Sequence, residues 1–139
     1  MSKLDIDEYG RKIYEPDGKV LADYLVDRRH VSVIRGPIGS GTSSGSCIKI
    51  AMLAAEQNKS PLDGIRRSRW AVIRNNYPAL RNTTVRTWLD WFPENLYGRF
   101  NWGKPMNHVM KWADVECEVI FLALDDEADI AKLRSLELT

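Results

Sequence analysis

The 139 residues are of single-domain length, and 44% hydrophobic with 28% charged residues is the balance of a globular chain that can bury a core. No apolar run approaches the roughly 20 residues needed to span a bilayer, and the polar, acidic start Met1-Ser2-Lys3-Leu4-Asp5 is unlike a signal peptide, so an intracellular protein is expected. Cys47 and Cys117 stand far apart with no Cys/His cluster, which argues against zinc and against a disulfide framework and reads as two small buried residues. The net charge of +1 hides an asymmetry: residues 61–104 carry eight Lys/Arg and three Asp/Glu, residues 105–139 three and eight. The basic half is a candidate for phosphate contacts, with a solvated helix face as the alternative.

In chain order, residues 1–30 hold Tyr9, Tyr14 and Tyr24 around a Pro16-Asp17-Gly18 turn signal. They predict an irregular lead-in with one short helix near Val20 to Val26. Val31-Ser32-Val33-Ile34 is a β-branched run that predicts a buried strand feeding a glycine-rich loop. Beyond the loop, Ile48, Ala51, Met52 and Ala55 fall at i, i+3, i+4 and i+7, the stripe of a helix packed on a sheet. A polar break with Pro61 and Gly64 precedes a second strand candidate, Arg69 to Arg74. Strand, helix and strand then form a right-handed βαβ unit with ligands at the carboxyl ends of its strands, where Arg74 emerges beside the glycine loop. A surface arginine without a ligand is the alternative.

Asn76 is placed to cap the next helix, with Pro78 in its first turn; Val85, Trp88, Leu89 and Phe92 form its apolar stripe and Pro93 ends it. Trp88, Trp91 and Trp102 interleave with Arg86, Arg99 and Lys104 in a way that imitates a nucleic-acid stacking platform, but tryptophan at helical spacing reads first as core. Val115 to Leu124 is a long strand with a buried second half, paired with Val109 to Trp112 across Ala113-Asp114. Asp129 to Leu138 reads as a last short helix.

The loop is the motif with chemistry in it. Gly36, Gly39, Ser40 and Gly41, followed by Thr42 and Ser43, match the phosphate-binding pattern GxxxxGK[ST] except that Thr42 occupies the lysine position. Glycines let successive N–H groups point inward, the helix N-terminus adds positive potential, and the Ser43 hydroxyl is the candidate Mg²⁺ ligand. Threonine supplies no charge at the β- and γ-phosphates, so binding is expected to outlast turnover. A glycine- and serine-rich turn is the plain alternative. Ile120 to Leu124 followed by Asp125-Asp126-Glu127 imitates an Mg²⁺ strand with Asp126 and Glu127 in the metal and water-activating roles, although Asp125 or Asp126 is equally placed to cap the following helix.

Arg35 to Gly41, Val72-Ile73-Arg74-Asn75-Asn76-Tyr77-Pro78-Ala79-Leu80, Thr83 to Pro93, Phe121 to Asp125 and Lys132 to Thr139 together resemble the large terminase subunit of tailed bacteriophages, from about residue 20 to the last residue. The resemblance implies a RecA-like P-loop NTPase core: a mainly parallel sheet flanked by helices, with a β-hairpin insertion, spanning 31–139 after the lead-in. It implies ATP and Mg²⁺ held by Gly36 to Ser43 with Arg74 nearby. The implied partners are double-stranded viral DNA, the portal protein, the small terminase subunit and other copies in a ring, in the host cytoplasm at the procapsid portal. In this family the metal-binding strand follows the Ser135-Leu136-Glu137-Leu138-Thr139 block, and the nuclease domain lies further on, so both are expected beyond this chain and Asp126 and Glu127 lose their metal role. The reading is then a motor-domain fragment with impaired hydrolysis; the alternatives are a non-catalytic nucleotide- or DNA-binding module and an inert remnant.

Overall fold

The structure, a computed structural model, describes residues 7–8, 10–37 and 39–139. Helix α1 (Lys19–Val26) follows the Pro16-Asp17-Gly18 turn and buries Leu21 and Leu25, one turn apart, toward α2 (Thr42–Ala55). Within α2 the core-facing line is Cys47 and Ala54, flanked by half-buried Ile48, Ile50 and Ala51. Ala55 is exposed. The helix is thus turned slightly from the predicted stripe, because its smallest side chains take the positions of closest approach to the sheet.

A four-stranded sheet carries the fold, in the order β1 (Arg66–Arg74), β4 (Val115–Ala123), β3 (Met106–Trp112), β2 (Phe100–Asn101). Only β1 and β4 are parallel; β3 pairs antiparallel with β4, and β2 with β3. The sheet is therefore mixed rather than mainly parallel. The short Ala113-Asp114 connection, with Ala113 at φ 48°, forces an antiparallel hairpin, whereas β1 reaches its parallel partner only through the long helical stretch that follows it.

The predicted strand over Val31–Ile34 does not form. Val31 and Val33 are 71% and 86% exposed and pair with no strand, so the βαβ unit expected from residues 31–74 is absent. β-Branched residues favour strands because they fit a half-buried pleated surface, and none is offered to them here. On the outer edge of β1, Arg69 instead exchanges bonds with Thr139: its N–H donates to Thr139 Oγ1 at 2.8 Å, and the Thr139 N–H donates to its carbonyl at 2.9 Å.

Between β1 and β2 lie α3 (Tyr77–Ala79), a π-helical turn at Leu80–Thr84, α4 (Val85–Trp91) and α5 (Glu94–Tyr97). Asn76 caps α3, its Oδ1 accepting the Ala79 N–H at 2.8 Å. Leu80, Val85 and Trp88 are fully buried and Phe92 nearly so, against Phe121 of β4 and Phe100 of β2. Trp88 is thus core, as its spacing predicts. Helix α6 (Glu127–Ser135) starts two residues earlier than expected, because Asp126 caps it by accepting from the Ala128 and Asp129 N–H groups. Among the described residues no helix is long and apolar enough to cross a membrane.

The charge asymmetry of the sequence closes on itself in the sheet. Parallel register sets Arg67 opposite Glu116 and Arg69 opposite Glu118, with ion pairs of 3.5 and 2.7 Å, and Arg66 reaches Asp114 at 3.1 Å. Much of the basic half is spent on the acidic half rather than left for a partner.

Candidate phosphate cleft

The glycine loop enters α2 through two left-handed residues, Gly39 at φ 83° and Gly41 at φ 84°, a conformation in which a Cβ would be strained. Gly36 has no room for a side chain either, since a Cβ there would run into Ser40 Oγ. That hydroxyl is buried with no hydrogen-bond partner among the described residues. Ile38 lies outside the described residues. No side chain caps α2 and no acid stands in its first turn, so its leading N–H groups and the positive end of a 14-residue helix face outward uncompensated.

Beside this helix start, lined by Thr42 and Ser43, lies a cleft of about 290 Å³ between α2, the carboxyl end of β1 and the start of α4. Thr42, Ser43, Ser46, Arg74, Thr84 and Thr87 supply its polar wall, over a floor that includes Cys47, Ile50 and Val72. Of the sequence-derived candidates, Thr42, Ser43 and Arg74 come together in this cleft. Gly36, Gly39, Ser40 and Gly41 shape the approach to it and do not line it. Thr84, Thr87 and Ser46 were not singled out by sequence. Thr84 closes the π-helical turn at Leu80–Thr84 and Thr87 follows three residues later in α4; a π-helical turn is a widening of the helix with no simple sequence signal.

Among the described residues no carboxylate lines the cleft and no ion pair involves Arg74, which is exposed. Ser46 and Thr87 donate their hydroxyl protons to the Thr42 and Thr83 carbonyls, so the groups that complement phosphate are the Arg74 guanidinium, the Thr42 and Ser43 hydroxyls and the helix start. The Cys47 thiol in the floor is pushed up to about 12 by burial and stays neutral. Lys49 does not take the place of the missing loop lysine: two turns into α2, its Nζ lies 4.1 Å from the Tyr24 ring centroid, outside the cleft, and desolvation holds its pKa below the ordinary lysine value.

The acids after β4 are occupied elsewhere. Asp125 Oδ1 accepts the Tyr77 N–H at 3.1 Å, Asp126 caps α6 and pairs with Lys104, and the buried Asp129 accepts the Ala123 N–H at 2.9 Å. The helix-cap reading of Asp126 therefore describes the structure, and neither Asp126 nor Glu127 lines the cleft. Among the described residues no group of three or more His, Cys, Asp or Glu is arranged to hold a metal ion. No family model, curated protein or solved structure matches the chain.

Proposed function

We propose that the chain is part of the ATPase half of a phage terminase large subunit, and that the cleft holds the phosphates of Mg²⁺·ATP. The observation that carries this reading is the convergence of the uncapped N-terminus of α2, the Thr42 and Ser43 hydroxyls and Arg74 on one cavity free of carboxylates. Those groups fit a triphosphate: N–H donors and a cation for the anionic oxygens, with the Ser43 hydroxyl as the group that would hold a magnesium ion. Bound there, Mg²⁺ would screen the charge on the phosphates.

On this reading Ser43 orients the metal-bearing end, the α2 N–H groups hold the bridging region, and Arg74 approaches from the strand side. Thr42 replaces the lysine cation with one hydroxyl, which favours binding with little turnover by this chain alone. The RecA-like core, the ring around double-stranded viral DNA, and the portal and small-subunit partners belong to the same proposal and rest on the resemblance of the arginine-strand and tryptophan-helix blocks. Titration calorimetry with Mg²⁺·ATP tests the site: heat that saturates at one nucleotide per chain and is lost on Arg74→Ala supports it. The absence of a nucleotide heat in the unaltered protein overturns it.

A further inference from the structure

We propose that the turn between β2 and β3 is a stacking site for unpaired nucleic-acid bases, with Trp102 as the platform and Arg81 and Arg99 as phosphate contacts. Five tryptophans look alike in the sequence, but the fold separates them. Trp88 is fully buried, whereas Trp102 is 49% exposed at the tip of the turn. Phe100, itself 2% exposed, packs against the Trp102 ring at 4.6 Å between centroids and braces it from the core side. The Arg81 guanidinium lies 5.6 Å from the same ring. A base stacking on the exposed part of this anchored ring takes the place of the Arg81 guanidinium, which is released toward the neighbouring phosphate.

The charge map selects the partner. Arg66, Arg67 and Arg69 are neutralised by β4 and the turn before it, and Lys104 by Asp126. Of the basic half's cations, that leaves Arg74 in the phosphate cleft and Arg81, Arg86 and Arg99 exposed, with no carboxylate paired to them among the described residues. A concavity of about 620 Å³ runs beside Trp102, bordered by Arg99, Asn101, Gly103 and Glu94, within the range of a nucleotide-sized pocket. Its one acid is engaged, with Glu94 Oε1 accepting the Phe100 N–H at 3.0 Å. Asn101 Oδ1 accepts the Gly103 N–H at 2.9 Å, which fixes the turn beside the ring. A duplex hides its base faces, so the exposed ring favours a single strand or an unpaired end.

The site is separate from the phosphate cleft and stands whether or not that cleft binds nucleotide. The test is fluorescence anisotropy with a labelled oligo-dT and a duplex of equal length, in the absence of ATP. The single strand is expected to bind more tightly, with affinity falling about tenfold on Trp102→Ala and little on Trp102→Phe, as stacking energies imply. Arg81→Ala with Arg99→Ala, which removes the Arg81 contact on the ring but keeps the Phe100–Trp102 packing, should flatten the salt dependence of log K by about 1.4, two phosphates' worth. Arg74→Ala should leave all of this unchanged. No binding of either oligonucleotide, equal affinity of Trp102→Ala with an unchanged salt slope in the double variant, or duplex preference independent of Trp102 would each overturn the proposal.

Discussion

The Trp88 indole N–H donates to His108 Nδ1 at 2.9 Å, and on the far side of the ring His108 Nε2 donates to the Gly98 carbonyl at 2.6 Å. With Nδ1 accepting, the neutral ring carries its proton on Nε2, and the Trp88–His108 bond is buried between α4 and β3. A second proton on Nδ1 would meet the indole N–H head on.

Acid sensitivity follows from that pairing. Burial holds the His108 pKa below its ordinary value, with the Gly98 carbonyl and Glu94 opposing only in part. The unfolded chain therefore takes up the proton first: the stability due to neutral His108 is fully present above about pH 6.5 and is lost as pH falls below it, at no more than about 1.4 kcal/mol per pH unit. Urea midpoints between pH 7.5 and 5 should show the decline, and His108→Gln, which can accept from Trp88 and donate to Gly98, should remove its histidine component. His108→Leu leaves both partners unmet and should cost about 1–3 kcal/mol.

Asp129 is the second buried polar anchor, and its role is acceptance rather than chemistry. Asp129→Ala leaves the Ala123 N–H without a partner at the end of β4 and should destabilise by about 1–3 kcal/mol in chemical denaturation. Asp129→Asn keeps an acceptor oxygen, and a loss equal to that of the alanine variant would contradict the assignment.

The two roles considered for Asp126 make different predictions. As a cap on α6, Asp126→Ala should lower stability by about 1 kcal/mol and leave Mg²⁺·ATP affinity where it was, with the exposed Lys104 pair adding little. A fall in nucleotide affinity without a fall in stability would restore the metal role.

At the phosphate cleft, Thr42→Lys returns a cation to the loop. A hydrogen bond to a charged partner is worth about 1.5–3 kcal/mol, so nucleotide affinity should rise about tenfold or more by calorimetry. An unchanged affinity would mean that position 42 does not face the phosphates.

Short-range features were legible in the residues. Asn76 before Tyr77-Pro78, the stripe of Val85, Trp88 and Phe92, the stop at Pro93 and the hairpin across Ala113-Asp114 all appear where the sequence puts them, because each depends on neighbours a few positions away. At the cleft, Thr42, Ser43 and Arg74 were found from motif and strand-end reasoning, while Thr84 and Thr87 were not. Thr84 closes the π-helical turn and Thr87 follows it, and the extra residue of such a turn leaves no periodic mark.

The sequence by itself determined that helices follow the Pro16-Asp17-Gly18 turn, the glycine-rich loop and Asn76, where the hairpin turns, and that the loop carries Thr42 in place of a lysine. Only the tertiary structure decided which strands pair and in what register, and those are contacts between residues tens of positions apart. It left Val31–Ile34 outside the sheet, set β1 parallel to β4 so that Arg67 and Arg69 meet Glu116 and Glu118, and, of five similar tryptophans, buried Trp88, half-buried Trp70, Trp91 and Trp112, and left Trp102 exposed. The physical reason is that side-chain periodicity reports a segment's own faces, whereas the free energy of burial and ion pairing is settled by whatever surface is brought against them.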